Sequence, residues 1–332
     1  MKKQILFLAF LVLATLASVN QAFAQATPHD APTCTASALN PAAGELYTYE
    51  VEIPNTGGYT GTGTYDWYVM TQGQLDLLNG THISPASNAE FIAEGHYDTP
   101  TADANTIGIT WSSAALATGQ PYFLVVVYEE TLACTSNNIK VYRIEPKNAF
   151  WLKIDNVTTS VCAAPVSSAI ITDTGDPGTI EYLYGTNTLQ FTITASGYEG
   201  DFDGTVRLAG FEADQAVSAA WTSASGGSGT LTSPGTANGD YTGTLPSTVA
   251  GELITVTLTV VNNHFENLAG QTIDIAIDGS YTSGASTFND LSDVNGSCTA
   301  ETAFADATTQ DITARPTVNP VVGPTFVPQV AP

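Results

Sequence analysis

Basic residues are scarce in this chain, which has 8 lysines and arginines against 32 acidic residues. Binding to nucleic acid needs clustered Lys and Arg to neutralise phosphates, so the composition excludes that class of partner and disfavours anionic lipid surfaces. The excess of carboxylates leaves three explanations open: colloidal solubility, a saline habitat, or divalent cations held between carboxylates and backbone carbonyls.

Catalytic motifs are also absent. The sequence contains no G-x-S-x-G, H-E-x-x-H, Walker or dinucleotide-binding pattern. His82, His96 and His264 each stand without a near-sequence partner, so a zinc site or a Ser-His-Asp arrangement has no support in the sequence. We therefore expect a protein that is not an enzyme.

Long apolar runs are missing beyond the first residues, and no later segment approaches the roughly 20 apolar residues that a membrane-spanning helix needs. Residues 1–24 combine Lys2 and Lys3, an apolar run over Ile5–Ala17 and the A-x-A site Ala22–Ala24, which is the pattern of a secretory signal peptide. We expect a secreted bacterial protein, extracellular or at the cell surface. Loss of the two lysines leaves a net charge of about −26.

Cysteines are few but even in number, at Cys34, Cys134, Cys162 and Cys298. An even count in an exported protein, with no C-x-x-C pair, favours disulfides over a metal site. Three connectivities are open. The simplest is Cys34–Cys134 with Cys162–Cys298, because each bridge then brackets one half of the chain. Each would contribute about 4–5 kcal/mol in the chain-entropy model.

Period-two alternation of apolar and polar residues is the strongest pattern that the sequence does contain. It is clear in Leu46–Ile53, Asn138–Ile144 and Leu253–Val261, and no segment shows capped apolar residues at helical spacing. The pattern predicts an all-β fold of two tandem sandwiches. Trp67 and Trp111 lie in alternating segments, so we expect them in a core.

The turn-like residues 145–148 set the predicted boundary between the domains, with Pro146 at their centre. We predict a leader segment at 25–33, a first sandwich at 34–147, a second at 148–315 and an extended tail at 316–332. Three Gly-rich, Thr-rich or otherwise irregular segments are predicted as loops, at 57–63, 79–105 and 226–239.

Four segments of the first domain carry a family resemblance: Tyr47–Val51, Tyr65–Val69, Ile107–Trp111 and Tyr122–Ile144. Together they resemble the PKD-like and immunoglobulin-like modules of secreted Bacteroidetes-type surface proteins. The resemblance implies a β-sandwich that acts as a spacer, an adhesive element or a carbohydrate-contacting unit of larger surface machinery. The second domain resembles only generic β-sandwich repeats.

Prolines recur at every fourth position of the tail, with apolar residues midway between them at Val318, Val322, Phe326 and Val330. In an extended strand both sets lie on one face, and every missing proline N–H lies on the same edge. This spacing predicts a strand that pairs through its free edge with the sheet of its own second domain or of a neighbouring molecule. The alternative is a solvated Pro-rich spacer.

Two oxygen-rich segments are candidate calcium sites, although neither has the spacing of an EF-hand loop. Ordinary turn chemistry is the alternative for both. Tyrosines near the first Gly/Thr loop are candidates for a sugar-stacking surface. The candidate calcium ligands are Glu199, Asp201 and Asp203 in one segment and Asp290, Asp293 and Asn295 in the other, and the tyrosines are Tyr59, Tyr65 and Tyr68.

These features predict a secreted structural or adhesive surface protein, with assembly into a cell-surface filament by strand addition as one form of that function. Its partners would be further copies of itself or other surface proteins. The alternative is a carbohydrate-binding module of a surface complex, with glycans as partners.

Overall fold

The expected all-β fold is confirmed in a computed structural model that describes residues 36–54, 62–74, 76–85, 90–130, 137–173, 179–294 and 297–318. At residues 173, 179, 292–294 and 297–299 it describes the backbone alone. Within these ranges the one helix is α1 (Ser113–Ala117), whose first turn is capped by the Ser112 hydroxyl accepting from the Ala114 N–H. None of the described segments is a helix with the length and apolar character of a bilayer span.

The N-terminal half, residues 36–147, forms two antiparallel sheets. One sheet has the strand order β1-β5-β3 and the other β4-β2-β6-β7. The strands are β1 (Leu46–Glu50), β2 (Thr64–Thr71), β3 (Phe91–Ala93), β4 (Thr101–Ala102), β5 (Thr106–Trp111), β6 (Tyr122–Glu129) and β7 (Asn137–Ile144).

Aromatic rings fill the space between these two sheets. Trp67 and Trp111 are fully buried, as expected from the alternation, and both indole N–H groups are satisfied. The Trp67 indole donates to the Ala104 carbonyl at 2.8 Å, and the Trp111 indole donates to the Tyr49 hydroxyl at 3.0 Å. Both sheets therefore pack on one core in which the large side chains also have hydrogen-bond partners.

The C-terminal half, residues 148–318, contains two larger sheets and a two-stranded ribbon, β19–β20. One sheet has the order β10-β11-β16-β13-β14 with β8 also pairing with β11, and the other β15-β12-β17-β21-β9 with β18 also pairing with β17. The strands are β8 (Trp151–Asn156), β9 (Ser160–Cys162), β10 (Val166–Asp173), β11 (Thr179–Ser196), β12 (Gly200–Ala209), β13 (Ala216–Ser223), β14 (Ser228–Thr230), β15 (Gly239–Ser247), β16 (Glu252–Asn263), β17 (Gln271–Ser283), β18 (Ser286–Asn289), β19 (Leu291–Val294), β20 (Ser297–Ala300) and β21 (Asp306–Thr313).

Aliphatic side chains from β8, β11, β12, β16 and β17 dominate the core of the C-terminal half. In β16 every second residue from Glu252 to Asn262 is buried, so the period-two pattern of the sequence is realised over the whole strand. Ile254, Val256 and Leu258 face the opposing sheet, where Ile275 of β17 lies in the same core. The sheets thus enclose one apolar layer, as in other two-sheet packings.

Two of the predicted loops contain short strands. Residues 79–105 include β3 and β4, and residues 226–239 include β14. These strands have only two or three residues, which is too short for an alternating pattern to stand out from a loop composition. The loop prediction for these residues was therefore wrong, and β3 and β4 complete the edges of the two N-terminal sheets.

The two halves meet at α1. Leu116 of this helix is 9% exposed and packs into the core of the C-terminal half. The Ser286 hydroxyl of β18 donates to the Ala117 carbonyl at the end of the helix, at 3.2 Å. The helix therefore attaches the N-terminal half to the β17–β18 hairpin.

Candidate functional site

Three carboxylates from separate segments converge where β17 and β21 meet. Asp290 follows β18, Glu301 follows β20 and Asp306 opens β21, and one carboxylate oxygen from each lies within 4.8 Å of the other two. We call these three residues the carboxylate cluster. Backbone bonds fix the segments, since the Asp290 N–H donates to the Gly279 carbonyl at 3.2 Å and the Glu301 N–H donates to the Asp290 carbonyl at 2.9 Å. Asp306 is held by its pairing with Ile277 of β17.

The carboxylate cluster is deeply buried. Asp290 is 2% exposed and Asp306 is fully buried, while Glu301 is half-buried. Burial, together with the neighbouring charges of Asp278 and Asp306, raises the pKa of Asp290, and burial with the charges of Asp306 and Asp290 raises the pKa of Glu301. The Oδ1 atom of Asp290 has no hydrogen-bond partner among the described residues. The site therefore favours a proton or a cation.

The salt bridges of the described lysine and arginine side chains lie away from the carboxylate cluster. Arg143 pairs with Glu145 and Lys153 with Asp155. Arg207 stacks on Phe304, within the turn between Glu301 and Asp306, with its guanidinium carbon 3.6 Å from the ring centre. Its nitrogens nevertheless donate to both carboxylate oxygens of Asp240, at 2.7 and 2.9 Å.

One predicted calcium ligand, Asp290, belongs to the carboxylate cluster. Asn295 and the side chain of Asp293 lie outside the described residues. Sequence reasoning missed Glu301 and Asp306, because they stand alone in the sequence. The pairing of β19 with β20 brings Glu301 to Asp290, and the pairing of β17 with β21 brings Asp306 there.

The other predicted calcium segment begins a strand. Asp201 and Asp203 lie in β12 and alternate with buried residues, and both are exposed, as is Glu199 just before the strand. Strand geometry separates successive residues of one face by about 7 Å, which spreads these side chains along the sheet surface.

The predicted sugar-stacking surface is not formed by Tyr65 and Tyr68, because each is only 2% exposed. The Tyr65 ring packs on Tyr128 with centroids 4.9 Å apart. The Tyr68 ring stacks on His82 at 3.7 Å, and its hydroxyl donates to the Leu77 carbonyl. Neither ring presents a free face to a sugar. Tyr59 lies outside the described residues.

The predicted disulfides remain predictions. Cys34 and Cys134 lie outside the described residues, and Cys298 is described by its backbone alone, in β20. Cys162 ends β9, is exposed, and forms no disulfide with any described side chain.

A cleft of about 580 Å³ lies in the N-terminal half, between the end of β1 and strands β6 and β7. Its wall mixes charge and aromatic surface from Glu50, Glu52, Tyr128, Lys140 and Tyr142. The Tyr142 hydroxyl donates to the Glu50 carbonyl, which joins the two sides of the cleft.

The β10–β11 hairpin extends beyond the sandwich as a two-stranded arm, which we define as residues 168–173 and 179–183. Pairing of β11 with β16 begins only at Tyr184, so the arm strands pair with each other alone among the described strands. Large apolar side chains of the arm are exposed on both of its faces: Ile170 by 51%, Ile171 by 64%, Ile180 by 49% and Tyr182 by 46%.

The C-terminal tail leaves the protein at the base of this arm. The Arg315 guanidinium lies over the Tyr184 ring, 4.2 Å from its centre, and the Arg315 N–H donates to the Asn267 carbonyl at 2.9 Å. Val318 is the one predicted tail-strand residue that the structure describes, and it is 90% exposed. Val322, Phe326 and Val330 lie outside the described residues.

No protein-family model matches the chain, and no curated protein matches it. Among solved structures the chain is similar to AvmM, which catalyses macrocyclization in alchivemycin A biosynthesis. The two share 9% identity over 52% of this chain and 93% of that chain, with a TM-score of 0.25. A similarity at this TM-score supports no conclusion about the fold or the activity of this protein.

Proposed function

We propose that this protein is a secreted structural protein of the bacterial surface, built of two tandem immunoglobulin-like sandwiches, whose copies assemble when the tail of one pairs with the arm of the next. The observation that carries this proposal is the exposed apolar arm, at whose base the tail leaves the protein. The signal-like pattern of residues 1–24 supports secretion.

The arm has the properties of an incomplete sheet. A two-stranded ribbon is marginally stable in water unless a third strand or a packed surface covers it. Ile170, Ile171 and Ile180 are each exposed by about half or more, so covering them removes apolar surface from water. The outer edge of β10 also offers unpaired backbone groups for strand addition, since β10 is the last strand of its sheet.

The tail has the composition and length to complete that sheet. Residues 316–332 span about 56 Å when extended, against about 26 Å for the eight residues of β10. Proline at every fourth position removes donors from one edge only, so the tail pairs through its other edge and then blocks further addition. Val322, Phe326 and Val330 would supply the apolar stripe that covers the arm.

We favour pairing of the tail with the arm of a second copy of the protein. The chain forms no strand from Ala314 to Val318, and Val318 packs against little of its own molecule, at 90% exposure. At its last described residue the tail is therefore not covered by its own sheet. Donating a tail to one neighbour and accepting a tail from another is a head-to-tail contact, which propagates into a filament.

A mixing experiment tests this exchange directly. One variant lacks residues 316–332 and keeps the arm, and the other carries Ile170→Lys and Ile171→Lys and keeps the tail. Each variant alone is expected to be monomeric by light scattering, while the wild type forms filaments visible by electron microscopy. An equimolar mixture is expected to form one-to-one dimers, because one partner supplies the tail and the other the arm.

Ile92→Lys is the matched control, because Ile92 is a 72% exposed isoleucine on β3, an edge strand of the other half. It is expected to assemble as the wild type does. A monomeric wild type, or a mixture of the two variants that stays monomeric, contradicts the proposal. A monomer whose tail resists proteolysis only while the arm is intact would show pairing within one copy instead.

The cleft beside Tyr142 supports the alternative function of a carbohydrate-binding module. Its volume of about 580 Å³ and its Glu50, Glu52 and Lys140 side chains suit a polar ligand of moderate size. Glycan-array binding that is lost in Tyr142→Ala and retained in the tail deletion would favour this function. Absence of glycan binding by the wild type would exclude it for the glycans on the array.

A further inference from the structure

We propose that Asp290, Glu301 and Asp306, with Asp278 beside them, bind a calcium ion that fastens the β19–β20 ribbon to β17 and β21. The site differs from both segments that the sequence predicts, sharing only Asp290 with them. It does not depend on whether copies of the protein assemble.

The buried Asp290 carboxylate points to a bound cation. This residue is 98% buried, and its Oδ1 atom has no hydrogen-bond partner among the described residues. A buried carboxylate oxygen without a donor is strongly unfavourable unless a cation or a proton meets it. One oxygen of the Asp290 carboxylate lies within 4.8 Å of one oxygen each from Glu301 and Asp306, so one ion placed between the three side chains would bind this carboxylate.

Three carboxylates are a ligand set typical of calcium, and their spacing is compatible with that ion. Calcium–oxygen bonds measure about 2.3–2.6 Å, so two ligands of one calcium ion lie at most about 5 Å apart. The cluster oxygens fall inside that limit, at 4.8 Å or less. Magnesium keeps several of its waters and is usually bound through only one or two carboxylates, and zinc prefers nitrogen and sulfur ligands, which these three residues do not offer.

The charges around the carboxylate cluster also favour a divalent cation. Asp290 and Asp306 are both buried, and Asp278 lies close enough to act on the charge of Asp290. The positive charge of Arg207, which lies above the turn between Glu301 and Asp306, is already paired with Asp240. A divalent cation would supply the positive charge that this pocket needs.

The ion would have a structural effect. Asp290 directly precedes β19 and Glu301 directly follows β20, the two strands of the ribbon, and Asp306 opens the adjacent β21. Binding one ion to all three residues therefore ties both ends of the ribbon to the sheet. Calcium sites of extracellular modules have dissociation constants of about 0.1–1 mM, and we expect an affinity in that range.

The test starts with the whole mature chain, stripped of metal with EDTA and dialysed. Titration calorimetry with calcium chloride is expected to show one site, and about 10 mM calcium is expected to raise the melting temperature by about 3–8 °C. Magnesium chloride at the same concentration is expected to have a smaller effect. If calcium gives neither heat nor a shift in melting temperature, the proposal is wrong, and this result needs no variant.

The variant Asp306→Asn distinguishes between a calcium site and a cluster of carboxyl groups that only share protons. With calcium at the site, the substitution lowers calcium affinity at least tenfold, and it leaves the melting temperature in EDTA equal to or above that of the wild type, because one like charge is removed. Asp203→Asn, an exposed carboxylate on β12 in the same sheet, is the matched control and should leave calcium affinity unchanged. Equal calcium affinity in both variants would overturn the proposal.

Discussion

The two halves of this protein bury different kinds of side chain. Between the sheets of the N-terminal half lie large rings, among them Tyr49, Trp67 and Trp111, while aliphatic residues dominate the core of the C-terminal half. Buried polar side chains show the opposite distribution. In the described chain they lie in the C-terminal half, apart from Glu130: Asn187, Ser196, Gln215, Ser247, Glu252, Asn262, Asn267, Asp290, Asp306 and Gln310.

Strand length explains the difference. Strands of the N-terminal half have two to eight residues, so a few large rings must fill the space between its sheets. In the C-terminal half β11 has 18 residues and β16 has 12, which is enough for methyl groups to form the core. Their ends then run past that core, where amides and carboxylates tie distant segments together. Aromatic packing therefore stabilises one half, and polar contacts between distant segments stabilise the other.

Trp111→Ala should have the largest effect on stability. It removes a fully buried indole that packs on Phe91 and Tyr122, and it leaves the Tyr49 hydroxyl without its donor. We expect the free energy of unfolding to fall by about 3–5 kcal/mol in urea denaturation followed by near-UV circular dichroism.

Trp221→Ala is the control, because Trp221 is a half-buried tryptophan on β13 of the C-terminal half. It should lower the free energy of unfolding by much less. Equal losses of unfolding free energy in the two variants would contradict this difference between the halves, since aromatic rings would then contribute equally to both.

Asn262→Leu should have the next largest effect. The Asn262 side chain, 4% exposed, donates to the Gly185 carbonyl and to Asn187 Oδ1, and accepts from Gln215 Nε2 at 2.8 Å. Leucine has a similar volume but removes all three hydrogen bonds. Asn187 Oδ1 still accepts from the Ala164 N–H and Gln215 Nε2 still donates to Gln271 Oε1, so we expect a loss of about 1–3 kcal/mol in urea denaturation.

Gln190→Leu removes an amide on β11 that hydrogen-bonds Thr257 at an exposed position. This control should change stability by less than about 0.5 kcal/mol. If Asn262→Leu lowered stability as little as Gln190→Leu, buried polar contacts would not be a special source of stability in the C-terminal half.

Much of the fold could be predicted from the sequence because alternation reports directly on strand faces. The segment Leu253–Val261 was predicted as a strand and lies within β16, and Trp67 and Trp111 are in the core as expected. Alternation does not show whether a second face is also covered. Tyr68 points away from the core that holds Trp67, yet it is buried in a smaller cluster with Met70 and Val125.

The carboxylate cluster could be predicted only in part. Asp290 stands in an oxygen-rich segment that the sequence marks as unusual, whereas Glu301 and Asp306 stand among Ala, Thr and Phe. The position of Asp306 depends on the register of β21 against β17, where Asp306 lies opposite Ile277. That register is set by packing across the whole sheet and has no local sequence signal.

Asp240→Asn is expected to have the smallest effect and to show how far exposure weakens a polar contact in the C-terminal half. Arg207 and Asp240 are 36% and 43% exposed, so solvent screening limits the bidentate pair to about 0.5–1 kcal/mol at neutral pH. Hydrogen bonds from Arg207 lower the pKa of Asp240. The contribution is therefore present above the unfolded-state pKa of about 3.9 and is lost as the pH falls through the lower folded-state pKa. Urea denaturation of the wild type and the variant at several pH values should show that the difference in their free energies of unfolding shrinks in acid.

Glu145→Gln, which breaks the more exposed pair with Arg143 in the N-terminal half, should change stability less at every pH. A difference between the wild type and Asp240→Asn that stays constant into acid would mean that the aspartate acts through its shape, since its charge is lost there.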